Sequence, residues 1–262
     1  MRTLEGKCAL ITGSTQGLGL AAAHRFAAAG SHIVLSGLAS KADATALAGT
    51  IESQHGVRAV YAAGDLAHVS DIEGIVGAAS AVFGAVDIVV NNAVVRHAAP
   101  VEDVSPARWD EAVAVNLSAA FHLIRLTVPM MKARGWGRIL NVSSIYGQRG
   151  AANRVAYVTT KTALLGLTRA VALEGLAHGI TCNAVCPGTT ETPVHEAAIR
   201  SSMERESLTR EEAEARFFST KQPTGRFISA EQVAALMVFL CGPDAGDITG
   251  ASVPIDGAWS AG

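Results

Sequence analysis

Charge, aromatic rings and cysteine are all scarce in this 262-residue chain, and each scarcity removes a class of function. Only 17% of residues are charged, 21 basic against 23 acidic, and no long run of like charges occurs. That argues against a surface built for nucleic-acid phosphates or for anionic membranes. The four cysteines, Cys8, Cys182, Cys186 and Cys241, are too few and too scattered for a disulfide scaffold. Cys182 and Cys186 have no second pair and no nearby histidines to complete a zinc site, so all four read as small buried apolar residues and no metal is expected. No apolar stretch approaches the ~18 to 20 uncharged residues of a membrane span, and Met1 to Lys7 has no secretory pattern. A cytoplasmic protein without membrane contact is expected. What the chain does have is core material: 49% hydrophobic residues and a mean hydropathy of +0.29, enough for one large α/β domain spanning residues 1–262.

Short β-branched runs alternate with longer helical patterns, the signature of crossover units and a parallel sheet. Strands are predicted at Cys8–Thr12, His32–Ser36, Ala59–Ala62, Ile88–Asn91, Ile139–Val142, Thr181–Val185 and Ser252–Ile255, giving a seven-stranded, doubly wound Rossmann-type sheet with helices on both faces. Helices are predicted at Leu18–Ala29, Lys41–His55, Val69–Phe83, Pro106–Ala133, Ala156–His178 and Ala230–Cys241. Alanine dominates several of them, so they are expected to lie close to the sheet. The segment Glu191–Pro223 is charged and helix-prone over Arg200–Phe218, and reads either as a lid inserted at a strand's carboxyl end or as a solvated surface helix.

The first strand runs into Thr12-Gly13-Ser14-Thr15-Gln16-Gly17-Leu18-Gly19 before an alanine-rich helix. Glycines there permit a tight turn, close approach to a pyrophosphate and helix packing, while the helix amides and positive end face the anion. Gly13, Thr15, Gln16, Gly17, Leu18 and Gly19 are therefore candidate cofactor contacts. The spacing differs from G-x-G-x-x-G, so placement carries the reading. The second strand ends Ser36-Gly37-Leu38 with no carboxylate for a ribose and no adjacent arginine or lysine for a 2′-phosphate, although Lys41 is near. NAD is favoured over NADP. Leu38, Asp65 and Leu66 are candidate adenine contacts, with Asp65 equally readable as a helix cap.

Tyr157 and Lys161 stand four apart on a predicted helix, so both project from one face. An adjacent ammonium stabilises phenolate and turns a phenol of pKa ~10 into a usable acid/base. The fifth strand delivers Ser143 and Ser144 to the same sheet edge; Ser144 can donate to a carbonyl oxygen, whereas Ser143 reads as a cap or turn residue. Asn116, polar among Val113, Val115 and Leu117, needs buried partners.

In these motifs the whole chain resembles the short-chain dehydrogenases/reductases. Thr12–Gly19 is similar to that family's phosphate loop, Asn91-Asn92-Ala93 to its N-N-A-G, Pro187-Gly188 to its P-G after the sixth strand, and Ser144, Tyr157 and Lys161 to its catalytic set. The resemblance implies that Tyr157 exchanges the hydroxyl proton and Ser144 positions the oxygen. Lys161 would bind the nicotinamide ribose and lower the tyrosine pKa, and Asn116 would hold a proton-relaying water. It further places Asn92, Ala93, Pro187, Gly188, Thr190 and Thr192 at the cofactor, and suggests a homotetramer assembled through the two long helices. One departure is Val94, where the family has a glycine free to adopt positive φ.

The likeness is densest to the family's bacterial 3-hydroxybutyrate-oxidising members, in Ile33–Gly37, Trp109-Asp110, Asn116–Ala119, Lys221-Gln222-Pro223 and Asp256–Trp259. Where those members hold the substrate carboxylate, this chain has Arg96, Tyr146, Arg154 and Ala198, with Thr189 in place of a tryptophan. Two guanidiniums make a strong oxyanion site, so Arg96, Ser144, Tyr146, Arg154 and Tyr157 are the expected contacts of a small anionic substrate. Either arginine could instead pair with an acid such as Glu102. His97 and His195 are assigned no catalytic role. The expected activity is NAD-dependent interconversion of a 3-hydroxy acid and its keto form. The rivals are an NADPH-dependent 3-oxoacyl thioester reductase and a non-catalytic NAD-binding regulatory protein.

Overall fold

A computed structural model describes residues 2–191, 193–219 and 221–261; Thr192, an expected cofactor contact, lies outside them. Seven parallel strands form one sheet in the order β3-β2-β1-β4-β5-β6-β7. They are β1 (Cys8–Thr12), β2 (His32–Gly37), β3 (Ala59–Ala63), β4 (Ile88–Asn91), β5 (Gly137–Val142), β6 (Ile180–Pro187) and β7 (Ser252–Ile255). The first strand is wholly buried, and its alternate residues feed two cores. Ala9 and Ile11 join one with Ile33, Leu35, Val90 and Leu140, while Cys8 and Leu10 join the other with Val34, Val89 and Ile139. Burial on both faces explains why the strands read as continuous apolar runs.

The first core is covered by α1 (Gly17–Ala28), α2 (Lys41–His55) and α9 (Ala230–Cys241), where Ala22, Ala23 and Ala27 let the helix backbone approach the sheet. The opposite core is covered by α3 (Val69–Phe83), α5 (Ala119–Arg134) and α6 (Val155–Gly175). All four cysteines are buried and free.

Two elements differ from their sequence-based expectation. The predicted helix over Pro106–Ala133 is α4 (Pro106–Val113) and α5 joined by a π-helical turn at Ala114–Ser118. By length and composition Pro106–Arg134 could cross a membrane, contrary to expectation. Here it packs Ala119, Leu123, Ile124 and Met131 into the second core. The helix expected over Arg200–Phe218 is broken in two, α7 (Pro193–Glu206) and α8 (Arg210–Phe218). Ser207 sits at φ 54° between them, and Thr209 opens α8 with a reciprocal capping box to Glu212. Arg210 then ties α8 back to α7, donating to both carboxylate oxygens of Glu196 at 2.7 and 2.9 Å. Since Thr and Glu three apart are a helix-start signal, the break was legible in residues that the helix-prone composition masked.

Candidate active site

The loop between β1 and α1 is fixed by its neighbours. The Ser14 hydroxyl accepts from the Ser36 amide at 2.9 Å, and Thr12 Oγ1 accepts from the amides of Asn92 and Ala93, both at 3.0 Å. The Asn92 side-chain amide donates to the carbonyls of Thr12 and Gly13 at 2.9 and 3.2 Å, so it holds the loop in shape. Ala93 Cα closes on Gly13, where a Cβ would stand 3.0 Å away. Gly13 and Gly17 take φ of 61° and 53°, values that L side chains avoid. A Cβ on Gly17 would meet nothing within 4 Å, which leaves this face of the loop open. Gln16, the residue before α1, makes no side-chain cap, leaving the first helix amides available to an anion. Thr15 lies against Gly37 at the end of β2, and beyond it Leu38 is 79% exposed, a flat apolar surface at the expected position of a base. The residues present therefore fit a dinucleotide phosphate and its adenine.

Asp65 and Leu66 divide. The Asp65 carboxylate accepts from the Ala67 amide at 2.9 Å in the turn before α3, whose N-cap is His68, so Asp65 is not the cap. The Leu66 side chain is buried in the second core, which leaves its backbone to face a ligand.

Gly19 is the closest contact in the loop: a Cβ there would fall 2.1 Å from the Gly13 carbonyl oxygen. Gly19→Ala is expected to force the loop and α1 apart, at a stability cost of about 1–3 kcal/mol. Thermal melting and titration with cofactor should both show it, the affinity falling by about tenfold or more if the loop is the phosphate site, since that is about 1.4 kcal/mol.

The second cluster forms where β4, β5 and α6 present side chains at the same carboxyl edge. Asn91 donates to Asn141 at 2.8 Å, and Asn141 donates to Thr168 of α6 at 2.9 Å, which ties the ends of β4 and β5 to the helix. Ser143, read from the sequence as a cap or turn residue, instead donates to the Lys161 carbonyl at 2.8 Å and fastens the end of β5 to α6. Ser144 turns the other way: its hydroxyl accepts from the Tyr146 amide at 3.2 Å and acts on the Tyr157 phenol. Lys161 is fully buried, its Nζ donating to the Val142 carbonyl at 2.6 Å and standing 5.7 Å from the Tyr157 ring centroid. Arg96, exposed after β4, holds its guanidinium 5.6 Å from the centroid of the Tyr157 ring and acts on the phenol. Burial pushes the Tyr157 phenol up, but Lys161, Arg96 and the Ser144 hydroxyl outweigh it and hold the group below its ordinary value. Burial pulls the Lys161 ammonium down despite the neighbouring phenol.

Asn116 is 3% exposed inside the π-helical turn. Its Oδ1 accepts from the Val95 amide at 2.8 Å and its Nδ2 donates to the Val95 carbonyl at 3.0 Å. Both ends of one side-chain amide thus grip the residue before Arg96. Val94, next along, has no positive φ, so the residue in the glycine's place sits in an ordinary conformation.

Tyr146 packs edge-on against Tyr157, with centroids 6.4 Å apart, and against Trp259 at 5.4 Å. Arg154 is the residue before α6, makes no side-chain cap there, and acts on Tyr146. Neither Arg96 nor Arg154 pairs with an acid among the described residues, Glu102 included. His97 is bound to Glu111 at 2.8 Å, and His195 Nδ1 contacts the Thr190 carbonyl at 2.8 Å. Ala198 is exposed and Thr189 buried.

Gln222, 1% exposed, went unassigned in the sequence. Its Oε1 accepts from the Thr189 amide and its Nε2 donates to the Arg226 carbonyl at 2.5 Å, fastening the chain after Pro187-Gly188 to the return of the α7–α8 excursion. A Cβ on Gly188 would fall 2.5 Å from that Oε1, which accounts for the glycine.

A family model described as short chain dehydrogenase matches residues 7–202. The chain belongs to the short-chain dehydrogenase family. D-beta-hydroxybutyrate dehydrogenase of Cupriavidus necator is 40% identical over 98% of this chain and 99% of its own. The protein of the same name from Rhizobium meliloti is 39% identical, over 97% and 99%. Among solved structures, L-sorbose reductase of Gluconobacter frateurii, complexed with NADPH and L-sorbose, superposes with a TM-score of 0.92 at 30% identity, covering 98% of both chains. The short-chain dehydrogenase described here is accordingly an oxidoreductase acting on a small molecule with a nicotinamide cofactor.

Proposed function

We propose that this dehydrogenase interconverts a small anionic 3-hydroxy acid and its 3-oxo form with NAD, Tyr157 serving as the general acid/base. The observation that carries the reading is the grouping of the Arg96 guanidinium and the buried Lys161 ammonium at 5.6 and 5.7 Å from the Tyr157 ring centroid, with Ser144 also acting on the phenol. In alcohol oxidation Tyr157 takes the hydroxyl proton and Ser144 holds the substrate oxygen, while Arg96 and Arg154 bind the carboxylate. The bound nicotinamide supplies the hydride acceptor. Lys161 stabilises the phenolate, and its ammonium is the group assigned to the ribose. Asn116 fixes Val95 and thereby Arg96. The loop from Gly13 to Gly19, with Thr190 beyond Gly188, is assigned to the cofactor.

NAD is preferred here because β2 ends in Ser36, Gly37 and the exposed Leu38, with no guanidinium or ammonium immediately beyond to meet a 2′-phosphate. The segment from residue 191 to 223 is assigned the part of a lid. Exposed Phe121, Leu173 and Leu176 on α5 and at the end of α6 support the assignment of a homotetramer packed through these helices.

Steady-state oxidation of D-3-hydroxybutyrate tests the reading. Turnover is expected with NAD at a kcat/KM about tenfold or more above that with NADP, a difference of about 1.4 kcal/mol. Inactivity with both cofactors would refute the substrate assignment. Arg154→Gln is expected to raise KM for acids by about 10–100-fold, the worth of a charge-assisted hydrogen bond, and to leave neutral ketones much less affected. An equal effect on both would remove the carboxylate contact.

A further inference from the structure

Three cations from separate parts of the chain lie on the Tyr157 side of the site, and among the described residues no carboxylate forms an ion pair with them. Arg96 arrives from beyond the end of β4, its guanidinium 5.6 Å from the centroid of the Tyr157 ring. Arg154 arrives at the start of α6, close enough to act on both Tyr146 and Lys221. Lys221 arrives from the opposite side, just after α8, its Nζ 3.9 Å above the centroid of Phe217. That ring is itself held in place, with His195, Phe218 and Phe227 at centroid distances of 5.7, 5.0 and 5.8 Å. His195 and Lys221 thus share the Phe217 ring, and the charges of Lys221, Arg96 and Arg154 all act on His195.

Among the described residues, Arg96, Arg154 and Lys221 form no ion pair with Asp or Glu. Burial and then repulsion from Arg154 lower Lys221, while burial and repulsion from Lys221, Arg96 and Arg154 lower His195 despite its bond to the Thr190 carbonyl. Cations gathered in partly buried surroundings without a counter-ion repel one another, and the same Coulomb term favours an anion that enters among them. A monocarboxylate such as 3-hydroxybutyrate would compensate one of the three charges. The Lys221 ammonium, a point charge on a flexible stem, and the Arg154 guanidinium, a planar fork, suit a second carboxylate at the far end of the substrate.

We propose that the preferred substrate is a 3-hydroxy dicarboxylate, its carboxylate nearest the reacting carbon taken by Arg96 and its distal carboxylate by Arg154 and Lys221. This rests on the reading of the site as a 3-hydroxy acid dehydrogenase, adds a second charge to it and moves Arg154 from the first carboxylate to the second. The lid contributes the recognition of that charge, because Lys221 is held by Phe217, and Phe217 by His195.

The test is the reduction of 3-oxobutyrate, 3-oxoglutarate and 3-oxoadipate with NADH, followed by the loss of cofactor absorbance. The better diacid is expected to have a kcat/KM about tenfold or more above that of 3-oxobutyrate, mainly through KM, as an added charge-assisted contact would give. Lys221→Gln is expected to cut that ratio by about tenfold and Lys221→Arg to restore most of it, with circular dichroism verifying the fold of each. Normal turnover of 3-oxobutyrate with no gain for either diacid would overturn the second charge and leave the 3-hydroxy acid reading standing. No turnover of any of the three would overturn both. A diacid preference unchanged in a folded Lys221→Gln protein would overturn the assignment of Lys221.

Discussion

Replacing Tyr157 by phenylalanine is expected to lower kcat by about 10²–10⁴-fold in both directions while nicotinamide-dinucleotide binding persists, because the variant loses the acid/base and little else. The ring would still fill its place between Tyr146 and the Lys161 side chain, so the edge-on contact and the fold are retained. What disappears is the phenol oxygen on which Lys161, Arg96 and Ser144 act. Cofactor titration by fluorescence alongside single-turnover kinetics separates the two effects. A variant that keeps a tenth or more of wild-type kcat would assign the proton to another group.

Lys161→Ala has a different expected signature. The ammonium is one of the groups that bring the Tyr157 phenol down against burial. Without it the phenol shifts upward, so oxidation, which needs phenolate, falls near neutral pH and recovers as the pH rises. Reduction needs the protonated phenol, so its acidic limb is spared and its decline at high pH moves further up. Affinity for the cofactor should weaken as well if the ammonium reaches the ribose, and the Val142 carbonyl loses its donor, a loss of about 1–3 kcal/mol for a buried acceptor left unpaired. A pH–rate profile of kcat that scales down without shifting would contradict the electrostatic role.

Much of this was visible in the chain before any coordinates. The seven strands, the helices over Lys41–His55, Val69–Phe83 and Ala230–Cys241, and the glycine loop fall where apolar periodicity and turn chemistry place them, since these signals are local. The spacing of Tyr157 and Lys161 is also local, because a helix converts four positions into one face. The approach of Arg96 to the Tyr157 ring is not, as it joins a loop after β4 to a helix beyond β5 and depends on the sheet order. Lys221 and Gln222 were hidden for the same reason. They meet Arg154 and Thr189 only after two helices have doubled back, and the break between those helices turns on the unusual φ of Ser207. Asn116 could be flagged as a misplaced polar residue, but its partner, the Val95 backbone, required the tertiary structure.

The π-helical turn at Ala114–Ser118 has a consequence for how this site can change. A wide turn holds one residue more than the α-helix around it, and each residue advances a helix by about 100°. Shortening the segment by a single residue would therefore swing Asn116 off Val95 while keeping every side chain chemically intact. Deletion scanning would register as damage what substitution scanning passes over, because here the aim of a functional group is encoded by counting.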